Sequence, residues 1–224
     1  ETHQISILLA TVDWTKTETN PKFHGVSVLI GANGIVLGRY NKIFLIPFGE
    51  TIPFSDWFPE IVSWLRNNIA NMSDFDRGQE YTVFSVHENI ELSAPICFDI
   101  FSSLVIRGMV NNGANLVVNL SNLAWFGRTT ASENMVAVLR WRAIENRVPA
   151  VFASNNGKSV FIGSNGKNQG QQLGLFEEGS LISTINFQPQ FSFFRVYAEW
   201  VWGGLFFLFL ILVILSQIRG KIFQ

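Results

Sequence analysis

The chain has a single cysteine, Cys97, so no intramolecular disulfide can form. Its three histidines, His3, His24 and His87, fall in no metal-ligand spacing, and no two cysteines lie near each other in sequence. A structural zinc site is not expected on those grounds, nor is any other metal or a cofactor. Charge is scarce as well. Asp, Glu, Lys and Arg supply 15% of the residues and hydrophobic types 48%, against a usual charged share of about 25%. That imbalance calls for a membrane segment or an unusually large core. The net charge of −1 gives no basic stripe, so a nucleic-acid partner is not expected. The opening Glu1-Thr2-His3-Gln4 lacks the basic start and apolar run of a secretory signal, and it lacks an initiator Met. The expectation is a processed product or a piece of something longer.

The carboxy-terminal end supplies the membrane segment. Nineteen uncharged residues, Trp200–Ile218, separate Glu199 from Arg219 and are dominated by Leu, Phe, Ile and Val. At about 1.5 Å per residue they span roughly 28 Å, close to a bilayer core of about 30 Å. Trp200 and Trp202 stand where an aromatic belt would lie. Arg219 and Lys221 follow the run, which places the carboxy-terminus in the cytoplasm and everything before it on the outer side.

The remainder reads as a layered α/β domain. Strands are expected at Ile5–Val12, Val26–Ile30 and Ile35–Tyr40, the last two joined through Gly31-Ala32-Asn33-Gly34, whose Asn and Gly tolerate positive φ. Further strands are expected at Tyr81–His87, Ser93–Phe98, Asn115–Leu120, Ala150–Ser154, Ser159–Gly163 and Leu181–Phe187. Helices are expected at Phe58–Ile69, Phe101–Val110 and Glu133–Arg147, the last bounded by Pro149.

Two residue types carry the candidate chemistry. Cys97 lies in Pro95-Ile96-Cys97-Phe98-Asp99, where an apolar strand meets a helix. A nucleophile on such a turn is held out of the sheet with backbone N–H groups nearby to receive an oxyanion, and a helix amino-terminus favours the reactive thiolate. A lone cysteine is also a common small buried hydrophobe. Lys42, in Tyr40-Asn41-Lys42-Ile43-Phe44-Leu45-Ile46-Pro47-Phe48-Gly49-Glu50, can stabilise a thiolate and a negative tetrahedral intermediate if the fold brings it close. Otherwise it reads as a solvated surface lysine. Glu50 reads as either an exposed carboxylate or a partner of the site.

Five ordered strings define a resemblance. Tyr40–Phe54 (YNKIFLIPFGETIPF), Ala94–Ile100 (APICFDI), Asn119–Gly127 (NLSNLAWFG), Arg140–Arg147 (RWRAIENR) and Asn155–Ser159 (NNGKS) resemble, in order, apolipoprotein N-acyltransferase, a membrane member of the nitrilase superfamily. The resemblance implies a nitrilase-like α-β-β-α sandwich over residues 1–193, incomplete at its amino-terminal side. One transmembrane helix and a short cytoplasmic tail follow over 194–224. It implies a Glu-Lys-Cys triad in which Lys42 and Cys97 match the last two members. Glu50 matches a second carboxylate near the site, Asp99 stands where Glu is usual, and Phe98 is a further supporting residue.

The implied reaction moves a fatty acyl chain from a phospholipid, through a Cys97 thioester, to the α-amino group of a lipoprotein's diacylglyceryl cysteine. The implied location is the bacterial inner membrane with the catalytic domain periplasmic. Three departures accompany the resemblance: Leu123 replaces an Asp, Phe152 stands where Arg is common, and no triad Glu is in place. Glu1 lies only three residues before the strand starting at Ile5, too few for a crossover helix. Asp13 precedes a polar stretch. The triad Glu and the preceding membrane helices are therefore expected from a separately encoded or missing amino-terminal segment, and the chain alone is expected to turn over little or not at all. Two rival readings are an inert membrane-anchored remnant and an amidase for small amides or nitriles. The apolar carboxy-terminal run and Phe-rich loops argue against the second, since a small polar substrate needs no anchor.

Overall fold

The computed structural model describes residues 5–15, 22–52, 57–58, 60, 64, 75–186 and 190–222. Three antiparallel strands, β1 (Ile7–Thr15), β2 (Lys22–Ile30) and β3 (Val36–Asn41), form one sheet in sequence order. The β2–β3 turn closes as its sequence requires, with Gly34 at φ 79° and its N–H donating to the Gly31 carbonyl at 2.8 Å.

A second sheet has six strands in the order β4 (Phe84–His87), β5 (Ile90–Ser93), β6 (Leu116–Ser121), β7 (Ala150–Ser154), β8 (Ser159–Ile162) and β9 (Asn168–Leu173). β5, β6 and β7 run parallel, and the flanking pairs are antiparallel. Helices α1 (Ser103–Asn111) and α2 (Ala131–Asn146) make the two crossovers that parallel pairing demands. Their apolar faces, including Ile106, Met109, Met135 and Leu139, are buried under the sheet.

The two sheets share one core. Leu29 and Tyr40 of the first pack with Phe84, Leu92 and Ala94 of the second region. They pack tightly at Gly38, where an added Cβ would stand 2.6 Å from the Phe84 ring. The layered α/β expectation holds for the described residues.

Several sequence-based boundaries differ. The strand expected over Ser93–Phe98 ends at Ser93, after which only Ile96 keeps a bridge, to Leu120. Pro95 lacks an N–H to donate, and Cys97–Phe101 then turns into a short 3-10 helix. No strand forms over 181–186, where Ile182 is 98% exposed; Phe187 lies outside the described residues. β9 was not expected, because Asn-Gln-Gly-Gln-Gln-Leu has no apolar alternation. Its signal was the Asn165-Gly166 turn after β8, with Gly166 at φ 78°. Most of the helix expected over Phe58–Ile69 lies outside the described residues, as do Glu1 and the segment 16–21.

The last element, α3, covers Phe193–Ile222, starting seven residues before the apolar run. Its Phe193–Ser216 portion has a mean hydropathy of 2.2 with none of its most apolar window buried, so it is long and apolar enough to cross a membrane. Its base is fixed to the domain. Ser192 is buried, caps the helix by accepting the Arg195 N–H at 3.1 Å, and donates its hydroxyl to the Glu145 carbonyl on α2. About two turns on, at 3.6 residues per turn, Glu199 pairs with the buried Arg107 of α1.

Candidate active site

Lys42 follows β3 directly and is tied down on both sides. Its N–H donates to the Gly25 carbonyl at 2.8 Å, and its carbonyl accepts the Gly78 N–H at 2.8 Å. Its side chain lies over Gly25, where a Cβ would meet Lys42 Cβ at 3.4 Å. Gly78 has no alternative at this spot, since a Cβ there would lie 2.1 Å from the Asn41 carbonyl oxygen. The result is a lysine with only 2% of its side chain exposed, and the solvated-surface reading is excluded.

An ammonium so buried needs a charged partner. Glu50 supplies it, with both carboxylate oxygens 2.7 Å from Nζ. The tight turn Ile46–Glu50 aims that carboxylate. The Glu50 N–H donates to the Ile46 carbonyl at 2.8 Å, and the Ile46 N–H returns a bond to Glu50 Oε2 at 2.9 Å.

Cys97 opens the 3-10 helix at φ 48°, a left-handed conformation that is strained for a residue with a Cβ, at about 1–3 kcal/mol. Asp99 is the post that holds this turn. It is fully buried, and its Oδ2 accepts the Ile96 N–H at 2.9 Å and the Tyr40 hydroxyl at 2.8 Å. Its Oδ1 accepts the Phe44 N–H at 2.7 Å. One carboxylate thus pins the Lys42 segment to the Cys97 turn. Burial nevertheless pushes the Asp99 carboxyl above its usual range, against the three hydrogen bonds and the Lys42 charge that favour ionisation. The same burial, with Asp99 beside it, pushes the Tyr40 phenol far up, so it serves as a donor.

Lys42 and Cys97, fifty-five positions apart, meet electrostatically. Burial raises the thiol above its ordinary value; Lys42 pulls it down and Glu50 pushes it up. The Ser121 hydroxyl and the Phe98 N–H act in the same downward direction as Lys42. The Cys97–Phe101 turn is five residues long, and burial is the largest of the influences on the thiol. The Phe98 ring stacks on Phe44 at 6.0 Å and on Phe101 at 4.4 Å, forming an aromatic row next to the Cys97 turn.

Other residues fall away from this centre. Asp13 pairs with Arg39, and strand alternation puts it on the opposite face from Val12, Gly25 and Lys42. Leu123 and Phe152 are packed into the core. Tyr40, Asn119 and Ser121 were not singled out from sequence. Asn119 and Ser121 did leave a signal: they are alternate polar residues in an apolar strand, so both face one buried side and must find partners there.

A cysteine on a strained turn beside a buried lysine–glutamate pair, in a two-sheet α/β layer structure, defines the class. Residues 1–189 match the carbon-nitrogen hydrolase family, and the chain belongs to it. It is similar to apolipoprotein N-acyltransferase of Geobacter metallireducens, at 32% identity over 80% of this chain and 33% of that one. It is also similar to apolipoprotein N-acyltransferase 2 of Treponema denticola, at 28% identity over 89% of this chain and 39% of the relative. The chain therefore spans a third or somewhat more of the length of these relatives. Among solved structures, an amidase from Nesterenkonia sp. superposes with a TM-score of 0.57 at 21% identity, covering 78% of this chain and 59% of the amidase, which shows the shared fold.

Proposed function

We propose that this chain carries the thiol centre of an apolipoprotein N-acyltransferase. The Cys97 sulfur attacks the ester carbonyl of a phospholipid, the acyl C–O bond breaks, and the lysophospholipid leaves with the thiol's proton. The α-amino nitrogen of a diacylglyceryl cysteine then attacks the thioester; the C–S bond breaks and the amine's proton returns to sulfur. Lys42, positioned by Glu50, stabilises the oxyanion of both tetrahedral intermediates, and the Phe98 N–H steadies the thiolate. Asp99 is a positioning residue that holds these groups in register. Among the described residues the Glu50 and Asp99 carboxylates are both committed to partners, so in this reading the general base is a different carboxylate.

The proposed organisation is a catalytic domain over 1–193 and an anchor with a short tail over 194–224. The domain would lie on the periplasmic side of a bacterial inner membrane and the tail in the cytoplasm. The observation that carries this reading over hydrolysis of a small amide is the link between thiol and anchor. α1 begins two residues after the Cys97–Phe101 turn and reaches, through Arg107, the Glu199 carboxylate at the base of the membrane-length helix.

The test is intact-mass analysis of the chain in detergent with phospholipid, with and without a co-expressed amino-terminal segment. The expected result is one acyl chain on Cys97 as a hydroxylamine-labile thioester, transferable to a diacylated lipopeptide and missing in a folded Cys97→Ser variant. An equal adduct on Cys97→Ser, or none on wild type with the segment present, overturns the assignment.

A further inference from the structure

The Cys97 turn is closed on its sheet side. Asn119, fully buried on β6, donates through Nδ2 at 3.2 Å to the Pro95 carbonyl and at 3.2 Å to the Cys97 carbonyl. Its Oδ1 accepts the hydroxyl of the buried Ser121 at 2.7 Å. A long apolar substituent on the sulfur would have to break these buried bonds to lie there, which is costly. The aromatic row gives it an apolar way out instead. Phe98 follows Cys97 directly, and its ring stacks nearly parallel to Phe44, with 4° between the planes, and on Phe101. Exposure rises along the row: Phe44 and Phe98 are half-buried, Phe101 is 39% exposed and Leu104 60%. Leu104 lies in the first turn of α1, three residues before Arg107 and so beside it on the helix surface. Arg107 in turn holds Glu199, the residue after which the apolar run of α3 begins.

We propose that Phe98, Phe101 and Leu104, with Phe44 beside them, form a rail on which the fatty acyl chain lies while its carbonyl carbon is bonded to Cys97. The proposal deepens the acyl-transfer reading and rests on it. These four side chains have no hydrogen-bonding group, so the row offers nothing to a polar ligand and gains only by taking apolar surface out of water. Its two ends select an acyl chain among apolar occupants. One end is the neighbour of the residue that carries the thiol, and the other lies beside the ion pair at the foot of the membrane-length helix. A chain on this row leads from the sulfur toward the level at which phospholipid tails begin.

The single cysteine makes the test direct, because a maleimide reports on Cys97 alone. The rates of N-ethyl- and N-octylmaleimide with the full chain in detergent are measured, and their ratio is compared between variants. Partition of the octyl reagent into micelles is common to all of them and cancels. The octyl-to-ethyl ratio is expected to fall about tenfold in the Phe101→Ser, Leu104→Ser double variant, the loss of burial for roughly two of the added methylenes. Leu104→Ser alone is expected to lower it about threefold. Val36→Ser removes a side chain that is also 60% exposed, but on β3, and is expected to leave the ratio at its wild-type value.

Equal ratios in all four chains, or an equal fall in Val36→Ser, overturns the proposal. So does a wild-type ratio that drops to the Leu104→Ser value once an amino-terminal segment is co-expressed, since that segment is then the occupant of the row. Should the double variant fail to fold by circular dichroism, Leu104→Ser decides it, because its side chain is exposed. A ratio that depends on the row in a chain that never gains a phospholipid-derived acyl group supports the rail while sinking the acyl-transfer reading. An acylated Cys97 with a ratio that no variant moves sinks the rail alone.

Discussion

The Tyr40 hydroxyl donates to Asp99 Oδ2 at 2.8 Å, joining the third strand of one sheet to the turn that carries Cys97, fifty-nine positions away. Neither group reaches solvent. Their bond, with the Phe44 and Ile96 amides on the same carboxylate, ties the segment that carries Lys42 to the turn that carries Cys97.

Asp99→Asn is therefore expected to reduce both stability and thiol reactivity. An amide can accept from at most one oxygen, so one of the three donors now at the carboxylate faces an NH2 group. A buried donor left without a partner costs about 1–3 kcal/mol. Thermal melts monitored by circular dichroism should show the loss, and Asp99→Glu should recover less than half of it because the longer side chain overfills a fully buried site. An unchanged melting temperature in Asp99→Asn would show that the carboxylate is not the clamp.

The Lys42–Glu50 pair is expected to be strongly coupled. Lys42→Met leaves Glu50 partly buried without its cation, and Glu50→Gln leaves the ammonium without its anion. Breaking a buried pair by removing one partner costs about 3–5 kcal/mol. The double variant should be more stable than the sum of the single losses, because no lone charge remains. Urea denaturation of the four proteins measures this, and simple additivity would contradict the pairing.

The pH dependence of stability has a definite sign at Cys97. Burial raises its thiol in the folded chain, so between the unfolded and folded values the folded state holds more protons. Stability from this group is present below the ordinary thiol pKa, about 8.5, and declines as pH rises through the folded value. Wild type should thus lose urea resistance more steeply than Cys97→Ser above about pH 8.5. Parallel curves would mean that the thiol is not desolvated.

Gly38→Ala probes the contact between the sheets. Its Cβ would stand 2.6 Å from the Phe84 ring, so a sheet or the ring must shift, and overpacking of this kind costs about 1–3 kcal/mol. Combining it with Phe84→Leu should return part of the loss. A neutral Gly38→Ala would mean the two sheets do not meet there.

How much of this was legible in the sequence differed by element. The apolar carboxy-terminal run fixed its own helix, although the helix begins earlier, at Phe193, because Ser192 caps it against α2. β7 matched its expected residues, since Ala150–Ser154 is bounded by Pro149 and a polar turn. β9 has no pattern in the sequence and residues 181–186 form no strand: a strand held by ladder bonds to β8 can be polar, and an apolar stretch without a neighbouring strand stays irregular.

At the site, Cys97 and Lys42 were visible as residue types at structural transitions. Their burial, the direction of the thiol shift and the anchoring by Tyr40, Asn119 and Ser121 were not. These depend on contacts between strands far apart in the chain, which no local pattern encodes.

The Asp99 clamp has one further consequence. Because it fastens β3 to the β5–α1 turn, the turn that carries Cys97 is also a joint of the two-sheet architecture. Ser27, whose hydroxyl donates to the Ala94 carbonyl at 2.8 Å, fastens β2 to the same place. Cooperativity of unfolding and alignment of the chemical groups thus run through the same few bonds. Sequence drift that loosens them would separate the melting of the three-stranded sheet from that of the six-stranded one, and evolution cannot retune the nucleophile here without retuning how the domain holds itself together.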